Sequence, residues 1–419
     1  MRRTVLDVLK LPPQAPPRPS SDDLTWDRVE VQGRTARYGV GGAPDGAPVL
    51  FLHGWALGSR AYKRAVRRLT MRGCRVYAPA MPSFGGTADL PNEHMNIAGY
   101  SAWVDAFLTK VGVDEPALVI GHSFGGGVAT KLAHDRPERV RYLVLLNAVG
   151  GVSPRPPWEW MLGFTRELWP VPQGLEMVQA MRDDLVPNLL RNPIGLLRAG
   201  RLAQDADLVP ELIEIRERGT PVLVLTSDGD GVIPHAAFEA LCDAVGAEGR
   251  VVSGRHSWLL ADPDTFGEVL ATVIEVQVAE RRASTASTRA GDIAALLGSA
   301  GMPVRMARKL VRDASPLWLM SESTDVLAAD LALCHPKLRG DEVRAVARAI
   351  EGSSAIRLTV VAADRPGLLA DSAAVLAWHR LSIARASATT WPGGLALHAL
   401  TIEPPDPLDD EAWRALGDD

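Results

Sequence analysis

A serine, an aspartate and a histidine that stand far apart in the 419-residue chain, Ser123, Asp230 and His256, carry the residue types needed for nucleophilic catalysis. Ser123 lies in Gly121-His-Ser-Phe-Gly125, the Gly-x-Ser-x-Gly pattern of a serine on a sharp strand-to-helix turn. Leu118 to Ile120 read as a short apolar strand, and Val128 to Ala133 have helical spacing. So tight a corner leaves no room for a Cβ beside the turning residue, and Gly121, Gly125 and Gly126 supply that room. The turn aims the Ser123 Oγ at solvent above the sheet and sets the Phe124 N–H at a helix N-terminus, where it can stabilise a developing oxyanion. The plainer alternative is a Gly-rich turn with an incidental serine.

Asp228 and Asp230 share the loop Ser227-Asp-Gly-Asp-Gly-Val-Ile-Pro234. Asp230, with Gly231 after it and a Val-Ile-Pro close, is the better candidate to orient a histidine, and Asp228 reads as a turn former. His256 follows the last apolar strand, near Arg250, where a base is mobile at the sheet edge yet within reach of a buried carboxylate. The order Ser123, Asp230, His256 is the one that accompanies a nucleophile elbow. His235, just after Pro234, is the rival base. No His, Cys and carboxylate cluster has zinc or iron spacing, and no Gly-rich loop ends in the Lys-Ser/Thr of a phosphate cradle, so neither metal nor cofactor is expected.

The elements that must position these residues alternate strand and helix. Val29 to Gly33 and Thr35 to Val40 predict a hairpin about Gln32-Gly33. Pro48–Leu52, Arg75–Ala78, the run ending at Asn147 and Pro221–Thr226 predict buried strands, with helices over 61–70 and 98–111 between them. This is an α/β fold, a doubly wound, mostly parallel sheet, with the loops at His53, Ser123 and Asp230 at the carboxyl ends of the strands, where ligands bind. From about 150 to 218 the strand signal stops. Short helical segments broken at Pro154-Arg-Pro-Pro, Trp169-Pro-Val-Pro and Asn192-Pro, with Met161, Leu162, Trp169, Met177 and Met181, read as a helical cap that holds substrate against the sheet.

Length predicts more than one domain. A formal net charge of -5 with mixed signs gives no electrostatic case for nucleic acid. Cys74, Cys242 and Cys334 are widely spaced and odd in number, which suits a reducing compartment. Neither a signal peptide nor a membrane span is read in the sequence, so a cytoplasmic protein is expected. Residues 1–25 are Pro- and Ser-rich and read as a flexible arm; the catalytic domain spans about 26–277. The small polar run Ala279-Glu-Arg-Arg-Ala-Ser-Thr-Ala-Ser-Thr-Arg reads as a linker, and 278–354 as that linker plus helices over 293–297, 304–311 and 341–350. Within 355–419, a strand, the Asp364-Arg-Pro-Gly turn, a helix over 368–379 and strands over 382–390 and 395–403 give β-α-β-β, the first part of a ferredoxin-like α+β unit. Only a helix over 409–416 follows, so a fourth strand is missing and an exposed sheet edge, covered by a homodimer, is expected.

Residues of about 26 to 277 resemble the α/β-hydrolase superfamily, on the elbow, His53-Gly54, Phe84-Gly-Gly-Thr87, Asp230-x-x-x-Pro234 and His256-Ser-Trp-Leu-Leu. The resemblance implies Ser123 as nucleophile, His256 as general base and acid, Asp230 as its orienter, and the N–H groups of Trp55 and Phe124 as oxyanion hole. It implies a small-molecule acyl substrate, with a carbon–carbon bond hydrolase or a perhydrolase as variants. A serine at the elbow disfavours the dehalogenase and epoxide-hydrolase relatives, which have aspartate there. Ala80 and Ser83 depart from the Asp and Gly of many relatives. The last 65 or so residues resemble an ACT domain, as found at the C-terminus of nitrogen-sensing uridylyltransferases, on the Asp364-Arg-Pro-Gly-Leu-Leu turn. That implies a small effector, an amino acid, near Asp364, Arg365, Pro366 and Gly367. A dimerisation appendage is the plainer alternative, and a hydrolase-fold ligand sensor with little catalysis is the alternative for the whole chain.

Overall fold

The strands of the larger sheet are unbroken apolar runs because both of its faces are covered. The structure is a computed structural model that describes residues 5–6, 23–151, 163, 175–350 and 353–403. Two units divide the chain, Ser20–Ala279 and a second formed by Met1–Pro19 with Glu280–Asp419. Strands are numbered from β1 (Val5–Leu6), which lies in the second unit.

In the first unit β2 (Thr25–Val31) and β3 (Arg34–Gly41) form an antiparallel hairpin. Its turn uses positive φ at Gln32 (50°) and Gly33 (73°), the backbone that two-residue hairpins require. Next come β4 (Ala47–Leu52), α1 (Lys63–Thr70), β5 (Cys74–Pro79), α2 (Ile97–Lys110), β6 (Ala117–His122), α3 (Phe124–Asp135) and β7 (Val140–Leu146). The helices α4 (Leu175–Arg191), α5 (Pro193–Gln204) and α6 (Val209–Glu217) precede β8 (Val222–Ser227), α7 (His235–Val245), β9 (Arg250–Val252), α8 (Trp258–Ala261) and α9 (Pro263–Val269). The eight strands run in the order β2-β3-β5-β4-β6-β7-β8-β9, and every pairing from β5 to β9 is parallel. Side chains alternate between two cores: Leu50, Leu52, Val119, Leu143 and Leu145 pack in one with α2 and α3, while Val49, Phe51, Ile120, Val144 and Leu146 pack in the other with α1 and α9.

The helical stretch read as a cap is helical over α4 to α6. Its Asn192-Pro break is a helix start, with the Asn192 side chain capping Gly195 N and Pro193 opening α5. Met161, Leu162 and Trp169, the helix over 409–416 and nearly all of the arm over 1–25 lie outside the described residues.

In the second unit, α10 (Ala271–Ser299, which begins in the first), α11 (Val304–Arg312), α12 (Pro316–Leu319) and α13 (Thr324–Ala332) precede β10 (Arg344–Ala349), β11 (Ile356–Ala363), α14 (Leu368–Trp378), β12 (Ser382–Trp391) and β13 (Leu395–Glu403). The sheet order is β1-β10-β11-β13-β12. Three sequence expectations change here. The linker over 279–289 is helix, part of α10, because Ala, Arg and Glu favour helix and its Ser and Thr do not forbid it. The helix expected over 341–350 is strand β10, where pairing with β11 outweighs the helix propensity of Ala and Arg. The unit expected to lack a fourth strand gains one from upstream, since β10 pairs with β11 and is flanked in turn by β1. β12 is the edge strand on the other side, and its register is interrupted between Ile383 and Arg385.

Candidate active site

Ser123 joins β6 to α3 with φ 52° and ψ −118°, a strained backbone for a residue with a Cβ. Glycines around it are obligatory. A Cβ on Gly121 would stand 2.4 Å from Gly125 O, one on Gly125 2.3 Å from Leu52 O, and one on Gly126 2.4 Å from the Ala148 Cβ. The corner is tied down by Ser123 N, which donates to Leu146 O at 2.9 Å. Phe124 is the first residue of α3, so its N–H has no acceptor within the helix.

Asp230 and His256 are brought together as a buried pair. Nδ1 of His256 lies 2.9 Å from Oδ2 of Asp230, with the two side chains 5% and 3% exposed. The carboxylate has a full set of donors: Asn147 Nδ2 at 2.7 Å and His256 on Oδ2, and the Val232 and Ile233 N–H groups at 2.8 and 2.9 Å on Oδ1. Burial pushes the Asp230 carboxyl up, but the His256 ring, the Asn147 amide and the Ile233 N–H more than offset it, and it titrates below its ordinary value. An ionised carboxylate only accepts, so Nδ1 of His256 carries the proton and Nε2 is left to take one up.

Ser123 is next to His122, whose ring centroid is 4.9 Å from that of His256. A chain of hydrogen bonds runs beneath the site: Gly54 N donates to the Tyr62 hydroxyl at 3.1 Å, that hydroxyl to Nδ1 of His122 at 2.9 Å, and Nε2 of His122 to the His256 carbonyl at 3.1 Å. It links the loop after β4, the serine corner and the histidine loop. A Cβ on Gly54 would lie 3.3 Å from the Ser123 Cβ, so the Gly54-Trp55 backbone passes directly beside the serine. His53 donates through Nδ1 to Gly54 O at 2.8 Å and accepts Met81 N on Nε2 at 2.9 Å. Burial lowers His53 to about 4 and His122 to about 3, so both are neutral and structural.

The loop that carries Trp55 is also held by α4 and α5. Oδ2 of Asp184, on α4, receives Gly58 N at 2.9 Å and Ala61 N at 3.2 Å. One turn on, Asn188 accepts Gly85 N at 3.0 Å and donates to Ala56 O at 2.9 Å. The Trp55 indole donates to Leu196 O of α5 at 2.7 Å and packs against Gly200, where a Cβ would lie 3.0 Å from its Nε1. Asn147, Tyr62, Asp184 and Asn188 escaped sequence reasoning. Only Asn147, a polar residue closing an apolar strand, left a local trace.

The rival base lies elsewhere: His235 opens α7, exposed, beside Glu239 at 3.7 Å and the Phe238 ring at 5.3 Å. Asp228 accepts Ser253 Oγ at 3.0 Å and Gly254 N at 2.9 Å, a loop-forming role. In the second unit the Asp364–Gly367 turn leads into α14, with Gly367 at φ 83° and open space where a Cβ would be; Arg365 pairs with Asp371 at 2.6 Å. Asp364 N donates to Gly394 O at 2.8 Å. Among the described residues no group of His, Cys, Asp and Glu could hold a metal ion, and no helix is long and apolar enough to cross a membrane.

The sequence profile of the family described as alpha/beta hydrolase fold matches residues 47–171. A pimeloyl-[acyl-carrier protein] methyl ester esterase of Aromatoleum aromaticum is 30% identical over 46% of this chain and 83% of its own length. A monoacylglycerol lipase of Mycolicibacterium smegmatis is 26% identical over 54% of this chain and 90% of its own. Among solved structures, a hydrolase from Pseudomonas aeruginosa PA01 superposes with a TM-score of 0.50 at 22% identity, covering 59% of this chain and 98% of that one, a likeness of fold. The chain belongs to the α/β-hydrolase family and is an enzyme of that family.

Proposed function

We propose that the enzyme hydrolyses acyl esters through a covalent intermediate on Ser123, with His256 as general base and acid and Asp230 as its orienter. The observation that carries this reading is the buried 2.9 Å Asp230–His256 hydrogen bond beside a serine held at φ 52°. His256 Nε2 takes the Ser123 proton as Oγ attacks the ester carbonyl; the oxyanion is received by the N–H groups of Phe124 and Trp55. Collapse returns the proton to the departing alcohol, and water, deprotonated by the same nitrogen, releases the acid and Ser123. The esterase and lipase names of relatives support an ester as the substrate class. Labelling with a fluorophosphonate and mapping the adduct tests it. The adduct is expected on Ser123 and absent from Ser123→Ala; labelling of another residue, or esterase activity intact in that variant, refutes it.

The reading extends to the second unit as an ACT-like regulatory module in which an amino acid binds at Asp364–Gly367. Its support is the strand order β11-β13-β12 around α14 and the open, positive-φ Gly367. Pairing of two copies through the β12 edge belongs to the same proposal. Calorimetry of the full chain against the amino-acid set tests the effector, and absence of heat for every member leaves the unit without that role.

A further inference from the structure

Tyr62 ends the short turn Ser59–Tyr62 that precedes α1, and it is fully buried. Its ring lies in an apolar core with Phe51, Leu146, Trp258 and Leu259, the Phe51 ring 5.2 Å away. In that setting its hydroxyl makes two hydrogen bonds, to Gly54 N at 3.1 Å and to Nδ1 of His122 at 2.9 Å, and Nε2 of His122 goes on to the His256 carbonyl at 3.1 Å. The direction of each bond follows from the next. A carbonyl only accepts, so Nε2 of His122 carries the proton; Nδ1 is then bare and accepts, so the phenol donates, and its oxygen is left to take Gly54 N. Burial holds both groups in that state. It pushes the Tyr62 phenol up, against the pull of the Gly54 N–H, and keeps the His122 ring neutral.

Stability alone does not call for this arrangement. Burying a hydroxyl and an imidazole costs their desolvation, and replacing both partners of such a pair by apolar groups of the same shape can be nearly neutral. Gly54 is fitted to the relay as well, since a Cβ there would stand 2.9 Å from Nδ1 of His122 and 3.0 Å from the Tyr62 hydroxyl. The relay joins three backbone segments that are distant in the chain: Gly54, which precedes the Trp55 N–H; His122, which precedes Ser123; and His256 itself. The Asp230 bond orients the His256 ring, whereas the relay holds the His256 backbone, and holds it to the same hydroxyl that receives the Gly54 amide.

We infer that Tyr62 is a positioning residue for acyl transfer, its hydroxyl setting the oxyanion loop through Gly54 N and the loop of the base through His122. The inference rests on the proposed Ser123, His256 and Asp230 roles. Tyr62 lies behind the reacting atoms; it fixes the spacing between the N–H groups that receive the oxyanion and the imidazole that moves the proton. Its loss therefore acts on the transition state more than on substrate binding.

Steady-state kinetics on a p-nitrophenyl ester, with kcat expressed per site titrated to completion by a fluorophosphonate, test it. Tyr62→Phe should lower kcat per site by about 10- to 100-fold and leave KM within about twofold. His122→Leu should do the same, and the double variant should lose no more than the worse single one, because the two side chains act as one relay. His122→Gln, whose amide still offers a donor for the His256 carbonyl and an acceptor for the phenol, should recover about tenfold over His122→Leu. A purely structural role would lower the number of titratable sites and leave kcat per site unchanged. Unchanged kcat per site in Tyr62→Phe, a loss confined to KM, or losses that multiply in the double variant overturns the inference. If Tyr62→Phe loses its cooperative melt, the comparison of His122→Leu with His122→Gln decides. Activity intact in Ser123→Ala would strike the proposed triad, and the inference with it, whereas a silent Tyr62→Phe in an enzyme that needs Ser123 strikes the relay alone.

Discussion

Asn147 Nδ2 donates to Oδ2 of Asp230 at 2.7 Å, on the oxygen that also receives Nδ1 of His256. The other end of the Asn147 amide accepts the Trp258 indole N–H at 2.9 Å, two residues past His256. One side chain at the end of β7, itself at φ 44°, therefore fixes the carboxylate and the loop that presents the imidazole. Asn147→Ala should lower kcat by roughly 10- to 100-fold, since misplacement by about an ångström carries that cost, and leave KM nearly unchanged. Asn147→Gln, which keeps the amide but not its position, should not rescue. Steady-state kinetics on a p-nitrophenyl ester check this, and a KM effect with kcat intact would mean that Asn147 acts on substrate binding instead.

Ser123→Ala and His256→Ala should each lower kcat by on the order of 10⁴-fold with the fold intact, because the proposed triad acts as one unit. His235→Ala should be silent, its ring exposed at the start of α7. Inverted results for the two histidines would transfer the base role to His235.

The serine corner was legible because its constraints are local: Gly121, Gly125 and Gly126 are within three residues of Ser123, and each lacks room for a Cβ. Asp230 was legible from the turn that follows it, whose Val232 and Ile233 N–H groups bind it. Asn147 and Asp184 were not, because their partners lie 83 and 126 residues away and no pattern in the chain encodes such pairings. β10 misled for a different reason. Arg344-Ala-Val-Ala-Arg-Ala349 has strong helix formers, and only its register against β11 and the Arg348–Asp330 ion pair decide for strand.

Asp184 should prove a positioning residue for the loop that carries Trp55. Burial raises its carboxyl above the ordinary value, although the Gly58 and Ala61 N–H groups and Arg60 pull it back. Those donors need an acceptor rather than a charge. Asp184→Asn should therefore retain kcat within about threefold, while Asp184→Ala, which leaves two N–H groups without a partner, should destabilise by about 1–3 kcal/mol and lower kcat. Equal loss of kcat in both variants would show that the negative charge matters. Trp55→Ala removes the indole bond to Leu196 O but keeps the backbone N–H, so it should change KM more than kcat.

Stability should fall as pH drops below about 6.5, the value of an unfolded histidine. In the folded chain burial holds His53 near about 4 and His122 near about 3. Between those values and about 6.5 the unfolded chain binds more protons than the folded one, so stability rises with pH there and is fully present above that window. At 1.36 kcal/mol per pH unit, each histidine should withdraw roughly 2 kcal/mol between about pH 6.5 and 5. Asp184 acts in the opposite sense, since its raised value favours the folded chain as it is protonated, and it offsets part of the loss. Asp230 adds to the loss only at lower pH, because its depressed value places its contribution above the unfolded carboxylate pKa of about 3.9. Urea unfolding at about pH 7 and about pH 5 measures the difference. His122→Gln removes one titrating ring and should reduce the pH slope between these points by about one proton. A slope unchanged in His122→Gln would mean that His122 stays neutral in the unfolded ensemble too, or that it is charged in the fold, against its place between the Tyr62 hydroxyl and the His256 carbonyl.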